Sequence, residues 1–262
     1  MALMETEIPN GSMAMVGLSY EDIKDWCPAD IDIACHNGLE CTIVSGPTDS
    51  VKAFVKKLQG REVFAEEVSC NNIPYHSRYM AAVGSKLIAY LKNVITVAKP
   101  RSKKWLSTSV PRNEWSTSAA KLSSAEYHTN NILKPVLFEE TLALTPDNAV
   151  TIEIAPQNLL QAILRKSLQP TVRNIALNHR HDKNNMVSFL QALGKLYNSG
   201  TQLNLANLYP HVEYPVSRNT PMISPLIRWK HSDDWFVTLY DTKEKIDSGE
   251  RIIDISIASE EF

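Results

Sequence analysis

The sequence predicts an α/β protein whose N-terminal part is an α+β unit, and three observations carry that prediction. Short apolar runs alternate between strand and helix periods over residues 12–69, a second alternation follows over residues 149–200, and glycine or proline ends most of the runs. With 44% hydrophobic and 21% charged residues, a chain of 262 residues has the composition of a globular protein that buries a core without staples. Its 27 Lys+Arg nearly balance 29 Asp+Glu, a net charge of −2 that leaves no electrostatic footprint for a polyanion, so nucleic acid is not an expected partner. No apolar run approaches the ~20 residues that cross a bilayer, and the opening MALMETEIPNGS carries two glutamates where a secretory leader is basic, so neither membrane nor leader is expected. The four cysteines form no C-x-x-C pair, which fits reduced thiols and a cytoplasmic location. Glycine is absent between Gly84 and Gly194, so neither G-x-G-x-x-G nor a P-loop exists to hold a nucleotide cofactor.

Each element has its own signal. Residues 13–18 (MAMVGL) read as a strand, and Ser19-Tyr20-Glu21-Asp22 as a capping-box-like helix start. IDIACHN (31–37) and CTIVSG (41–46) read as a hairpin around the turn-prone Gly38-Leu39-Glu40. After Pro47, Val51, Phe54, Val55 and Leu58 fall at i, i+3, i+4 and i+7 of a helix closed by Gly60, and REVFAEEVS (61–69) supplies a last strand. The order β-α-β-β-α-β is that of a ferredoxin-like unit. Beyond Pro74 a long helix is expected, with Met80, Val83, Leu87, Leu91 and Val94 on one face, ending before Pro100. A strand is expected at 103–110, a helix after Pro135, strands at 149–156 and 172–177 around a helix over 159–168, and a last helix using Met186, Phe189, Leu190, Leu193 and Tyr197 up to Gly200. Such alternation implies parallel pairing. Residues 210–225 hold four prolines among large apolar groups and read as an extended strap. Residues 241–251 read as a charged linker, and RIIDISIASEEF as an opening strand.

Candidate chemistry is sparse. His179-x-His181 lacks a third ligand and reads as a solvated loop, so no metal is expected. Cys35-His36 with Cys41 reads as a core cysteine beside a surface histidine, and His128, His211 and His231 carry no sequence partner. His76 differs, because it sits in NNIPYHSRYM where a strand ends, Pro74 stiffens the turn and a helix begins.

His36-Asn37 leading to TIVSGP (42–47), IPYHSRYM (73–80), NNILKPVLFEETL (130–142) and IEIAPQNLLQAIL (152–164) follow one another in an order that resembles the malonyl/acetyltransferase domain of animal-type fatty acid synthases. WLSTSVP (105–111), SSAEYHTNN (123–131) and TPMISPLIRWKHS (220–232) extend the resemblance, which covers about residues 7 to 240. It implies an α/β-hydrolase-like large subdomain with an inserted ferredoxin-like small one. The expected organisation is a truncated entry segment at 1–11, the small subdomain at 12–75, the C-terminal part of the large subdomain at 76–200, a Pro-rich post-acyltransferase linker at 201–240, and a charged linker with the start of a dehydratase-like domain at 241–262.

Members of that family run a ping-pong transfer in which a serine takes a malonyl or acetyl group from coenzyme A and passes it to the phosphopantetheine thiol of acyl carrier protein. The resemblance makes His76 the general base and acid, its tautomer set by backbone carbonyls, and gives Asn131 a supporting role through its backbone; Asn37 receives no chemistry. Acyl-CoA and the carrier protein are then substrates, no cofactor is bound tightly, and ketosynthase and dehydratase domains are the expected neighbours. The family's serine elbow, oxyanion glutamine and carboxylate-binding arginine precede the segment matching Met13, and no G-x-S-x-G occurs here, so no nucleophile is assigned and the isolated chain is expected to be inactive. Two competing expectations remain: a non-catalytic interaction module or inert fragment that docks on a partner chain, and an enzyme completed by a partner that supplies the serine half.

Overall fold

The computed structural model describes residues 2–180 and 184–211. It divides into two units, Met1–Leu203 and Asn204–Phe262; in the second, the described residues 204–211 contain one 3-10 turn, Leu205–Leu208. The strap beyond residue 211, the charged linker and the final strand expected from the sequence lie outside the described residues, as does His231.

The first unit opens with β1 (Gly11–Val16), α1 (Tyr20–Ile23), β2 (Asp32–Gly38), β3 (Cys41–Pro47), α2 (Thr48–Gln59) and β4 (Ala65–Val68). The strands lie in the order β4-β1-β3-β2, every pair antiparallel, which is the ferredoxin-like arrangement. The Ser19 hydroxyl accepts from the Asp22 N–H at 3.2 Å and donates to its carboxylate at 2.6 Å, so α1 starts where the sequence places it. All four apolar residues of the α2 stripe are buried, packed on Ala14, Val16, Ile23, Ile31 and Val44. The last strand is shorter than expected, because residues 61–63 are spent closing the turn after α2, with Glu62 at φ 60°.

Beyond the small sheet, residues 78–83 form a 3-10 turn that runs into α3 (Gly84–Val94), and α4 (Ala125–Leu133) packs on it through Met80, Val83, Leu87, Ile132 and Leu133. Val94, expected on that face, is exposed. No helix was expected at α4: its buried residues are Ala125, Tyr127 and Thr129, a small, a polar-tipped and a hydroxylic side chain that leave little apolar period to read.

The strand expected at 103–110 does not form. Its backbone joins no ladder: Leu137 N–H donates to Thr108 O at 2.7 Å and side chains such as Asn130 take other carbonyls, while Ser107 bonds the Tyr127 hydroxyl at 2.8 Å; the ladder forms instead between β5 (Lys99–Pro100) and β6 (Leu122–Ser123). β7 (Val136–Leu137) adds to the small sheet parallel to β2, and only then comes the helix expected after Pro135, α5 (Phe138–Leu142). β8 (Val150–Glu153) and β9 (Arg173–Ala176) pair in parallel around α6 (Gln161–Ser167), as the alternation required. α7 (Asn185–Asn198) buries Ser188, Ala192 and Leu196, so Met186, Leu190 and Tyr197 face out, contrary to the expected face. Among the described residues no helix is long and apolar enough to cross a membrane.

Leu58 is fully buried against the small sheet, so Leu58→Ala is expected to cost about 2–5 kcal/mol in urea unfolding, whereas the same change at exposed Leu39 should shift stability by less than about 0.5 kcal/mol. Equal effects at the two sites would contradict this core.

Candidate active site

A cavity of about 910 Å³ lies where the small sheet meets the end of α4, and His76, His36, Tyr20, Arg78, Ser109 and Lys134 all line it. The path to His76 begins at Gly11. Any side chain there would collide with the Pro74 ring, to within 2.5 Å, and the Gly11 N–H donates to Asn72 O at 2.9 Å, so β1 and the 70–76 turn lie in direct contact. Asn71 and Asn72 take the left-handed conformation that asparagine tolerates (φ 52° and 59°), and Pro74 is buried.

His76 is itself left-handed, with φ 58°, a conformation of some cost that persists only where its surroundings impose it. Here the end of α4 imposes it. The main-chain N–H of His76 donates to Ile132 O at 3.2 Å, and ring Nδ1 stands 3.0 Å from Lys134 O. A carbonyl only accepts, so Nδ1 carries the proton and, in the neutral ring, Nε2 carries the lone pair. The last carbonyls of a helix have no partner within it, and Lys134, extended before Pro135, leaves these ones turned to the histidine. Burial pushes the His76 pKa below its ordinary 6.5, and outweighs the main-chain carbonyls of Lys134 and Asn131, which pull the other way. The imidazole is therefore neutral at physiological pH, with a basic nitrogen at the cavity.

Asn131 acts on the ring through its main chain, while its carboxamide oxygen accepts from Ser109. Asn130 donates to Ser109 O at 2.9 Å, so Ser109, which sequence reasoning passed over inside an expected strand, fastens the end of α4 twice. Arg78, two residues past His76, grips Asp32 of β2 through its main-chain N–H at 2.7 Å and its guanidinium at 2.5–3.1 Å. Burial pushes the Asp32 carboxyl up, but the bonds from Arg78 overcome it and hold the group below the ordinary range.

The remaining candidates separate cleanly. His36 is not a surface residue: it is 7% exposed, because the pleat of β2 turns Ala34, His36 and Gly38 inward and leaves Cys35 half-buried on the other face. Its partner, Glu140, lies 104 residues away and was invisible to local spacing. Burial raises the thiols of Cys35, to about 12, and Cys27, to about 11, and all four cysteines are free. His128 Nε2 pairs with Ser123 at 2.9 Å beside Trp105 and Tyr127, away from the groups that line the cavity. Asn37 reaches only the Cys41 sulfur, at 3.9 Å. His181 lies outside the described residues, among which no group of three metal-ligating side chains exists.

Residues 2–203 match the family model described as the acyl transferase domain. The chain belongs to that family. The acyl transferase domain here is 30% identical over 204 residues to highly reducing polyketide synthase g433 of Fusarium sp, covering 74% of this chain and 8% of that one. It is 29% identical over 174 residues to cyclo-acetoacetyl-L-tryptophan synthase of Aspergillus oryzae, covering 61% of this chain and 4% of that one. Among solved structures, the acyltransferase domain from the second module of the salinomycin polyketide synthase aligns with a TM-score of 0.64 at 18% identity, over 79% of this chain and 48% of that one. FabD from Acinetobacter baumannii aligns with a TM-score of 0.58 at 14% identity, over 76% and 62%. Those likenesses show the α/β acyltransferase fold. The chain spans about half of the salinomycin domain and a small part of the g433 and cyclo-acetoacetyl-L-tryptophan synthases, and the g433 and salinomycin relatives are polyketide synthases by name.

Because the folded pKa of His76 lies below that of the unfolded chain, its contribution to stability is complete above about pH 6.5 and is lost as the pH falls toward the folded value. NMR titration of the His76 ring, assigned with His76→Gln, should give a midpoint below 6.5 in the folded protein and one near 6.5 in denaturant. A folded midpoint above the denatured one would contradict burial as the dominant influence.

Proposed function

We propose that the chain is the histidine-bearing part of a malonyl/acetyltransferase of the animal fatty acid synthase type, which moves malonyl or acetyl groups from coenzyme A to the phosphopantetheine thiol of acyl carrier protein. The observation that carries this reading is His76 itself: a neutral imidazole at a cavity, its Nδ1–H held by the Lys134 carbonyl and its Nε2 left as base. In the first half-reaction Nε2 takes the proton of a serine hydroxyl as the oxygen attacks the thioester carbon, and returns it to the coenzyme A thiolate as the C–S bond breaks. In the second half the carrier thiol gives its proton to Nε2 as the sulfur attacks the acyl carbon, and Nε2 passes that proton to the serine oxygen as the C–O bond breaks. The Lys134 carbonyl stabilises each imidazolium by accepting from Nδ1–H, a duty that a carboxylate performs in Ser-His-Asp triads.

The four motifs shared with the animal synthases support the fatty acid synthase assignment over a polyketide one, and with it a cytoplasmic multidomain enzyme with ketosynthase and dehydratase neighbours. The serine is not supplied by this sequence: it contains no G-x-S-x-G, and among the described residues no serine hydroxyl is hydrogen-bonded to His76. The chain alone, incubated with radiolabelled malonyl-CoA, should therefore remain unlabelled, and covalent label on one of its serines would overturn the reading. In a polypeptide that joins this sequence to a serine-bearing half, His76→Ala should lower transfer at least about 10³-fold, whereas His128→Ala should leave it unchanged. Equal rates for the two variants would remove His76 from the mechanism.

A further inference from the structure

The cavity holds a second histidine that the transfer chemistry does not use. His36 Nδ1 lies 2.6 Å from Glu140 Oε1, and its ring stacks on Tyr20 with centroids 4.0 Å apart and planes 24° from parallel. Glu140 belongs to α5 and Tyr20 to α1, so three elements fix one imidazole. An ionised carboxylate accepts only, so the Glu140 contact puts the proton on Nδ1 and leaves Nε2 of the neutral ring as an acceptor. Nε2 has no hydrogen-bond partner among the described residues. Yet it is not one of the buried unpaired polar atoms, which among those residues are Ser45 Oγ and Thr129 Oγ1. It is therefore not sealed from solvent, and the residue that carries it forms part of the cavity wall. A histidine kept only to fasten α5 to β2 would be complete with Glu140; this one is oriented on one side and unsatisfied on the other.

We propose that His36 is a substrate-binding residue, whose Nε2 accepts a hydrogen bond from an N–H or O–H of the pantetheine arm carrying the acyl thioester. The inference rests on the acyltransferase reading and adds to it a recognition site for the arm. The chemistry matches the wall: a pantetheine arm is a run of methylenes and methyls interrupted by two amide N–H groups and a hydroxyl, and the lining that includes His36 combines Ile33, Leu137 and Val110 with polar Ser109 and Asn130. A wall that mixes such apolar side chains with fixed polar groups, His36 among them, binds and orients such a ligand. Two other cationic side chains on the wall are engaged within the protein, Arg78 on Asp32 and Lys24 on Glu21, while Lys134 adds a further donor to the lining. A volume of about 910 Å³ is ample for an arm of this size.

The test uses the chain as it is, with free pantetheine as probe, followed by titration calorimetry and by the imidazole ¹⁵N resonances. Pantetheine should bind, saturation should move the His36 Nε2 resonance while Nδ1 stays in its protonated range, and His36→Phe, which keeps a ring against Tyr20, should weaken binding at least tenfold. His128→Ala, away from the cavity lining, should bind pantetheine as tightly as the unaltered chain, which ties any loss to the His36 ring. Should His36→Phe fail to fold, the Nε2 resonance of the unaltered chain decides. An Nε2 resonance that does not move at saturation, equal affinity for His36→Phe, or no binding of pantetheine at all would each overturn the proposal. The acyltransferase reading is judged separately, by the transfer rate of the His76 variant.

Discussion

A helix that stops at a proline leaves its last carbonyls without donors, and the site depends on how α4 meets that constraint. Pro135 has no N–H to give and forces Lys134 into an extended conformation, so the carbonyls of residues 131–134 cannot be paired by the continuing chain. His76 supplies what is missing, its main-chain N–H to Ile132 and its ring N–H to Lys134. The same two bonds hold the backbone in the left-handed region, set the tautomer and aim the ring. Structural need and chemical orientation are met by one residue, and neither can be altered without the other.

Around this point the small sheet and the helical layer are joined by polar ties rather than by one large apolar face. Arg78 to Asp32 joins the turn after His76 to β2, and Glu140 to His36 joins α5 to the same strand. Each tie sits on the cavity wall, so closing the two layers and shaping the cavity are one event. Burial then sets the charge state: it drives the His76 ring toward neutrality while leaving Asp32, bonded to a guanidinium, ionised. A basic nitrogen and a fixed ion pair thus coexist a few residues apart.

How much was legible in the sequence follows from the range of the interactions. The ferredoxin-like unit could be read because its signals are local: the Ser19 cap, the hairpin turn at Gly38, and the Val51-Phe54-Val55-Leu58 stripe all lie within a few residues of what they determine. His76 stood out through Pro74 and the turn, and through the family motif around it. Its partners did not, since Ile132 and Lys134 act through main-chain atoms that carry no residue code. His36 was misread because a strand of alternating Ile, Ala, Cys and His does not say which face is covered; Glu140, far along the chain, decides it. The expected strand at 103–110 failed because its serines spend their hydroxyls on α4, a helix whose small and hydroxylic inner face hides its period.

The most direct measurement is the tautomer of His76. At a pH above its titration, ¹⁵N NMR of the imidazole should show a protonated Nδ1 and a bare Nε2, as the Lys134 carbonyl requires. A ring protonated at Nε2 with a bare Nδ1 would mean that the end of α4 does not hold the histidine, and would leave it without the basic nitrogen that acyl transfer needs.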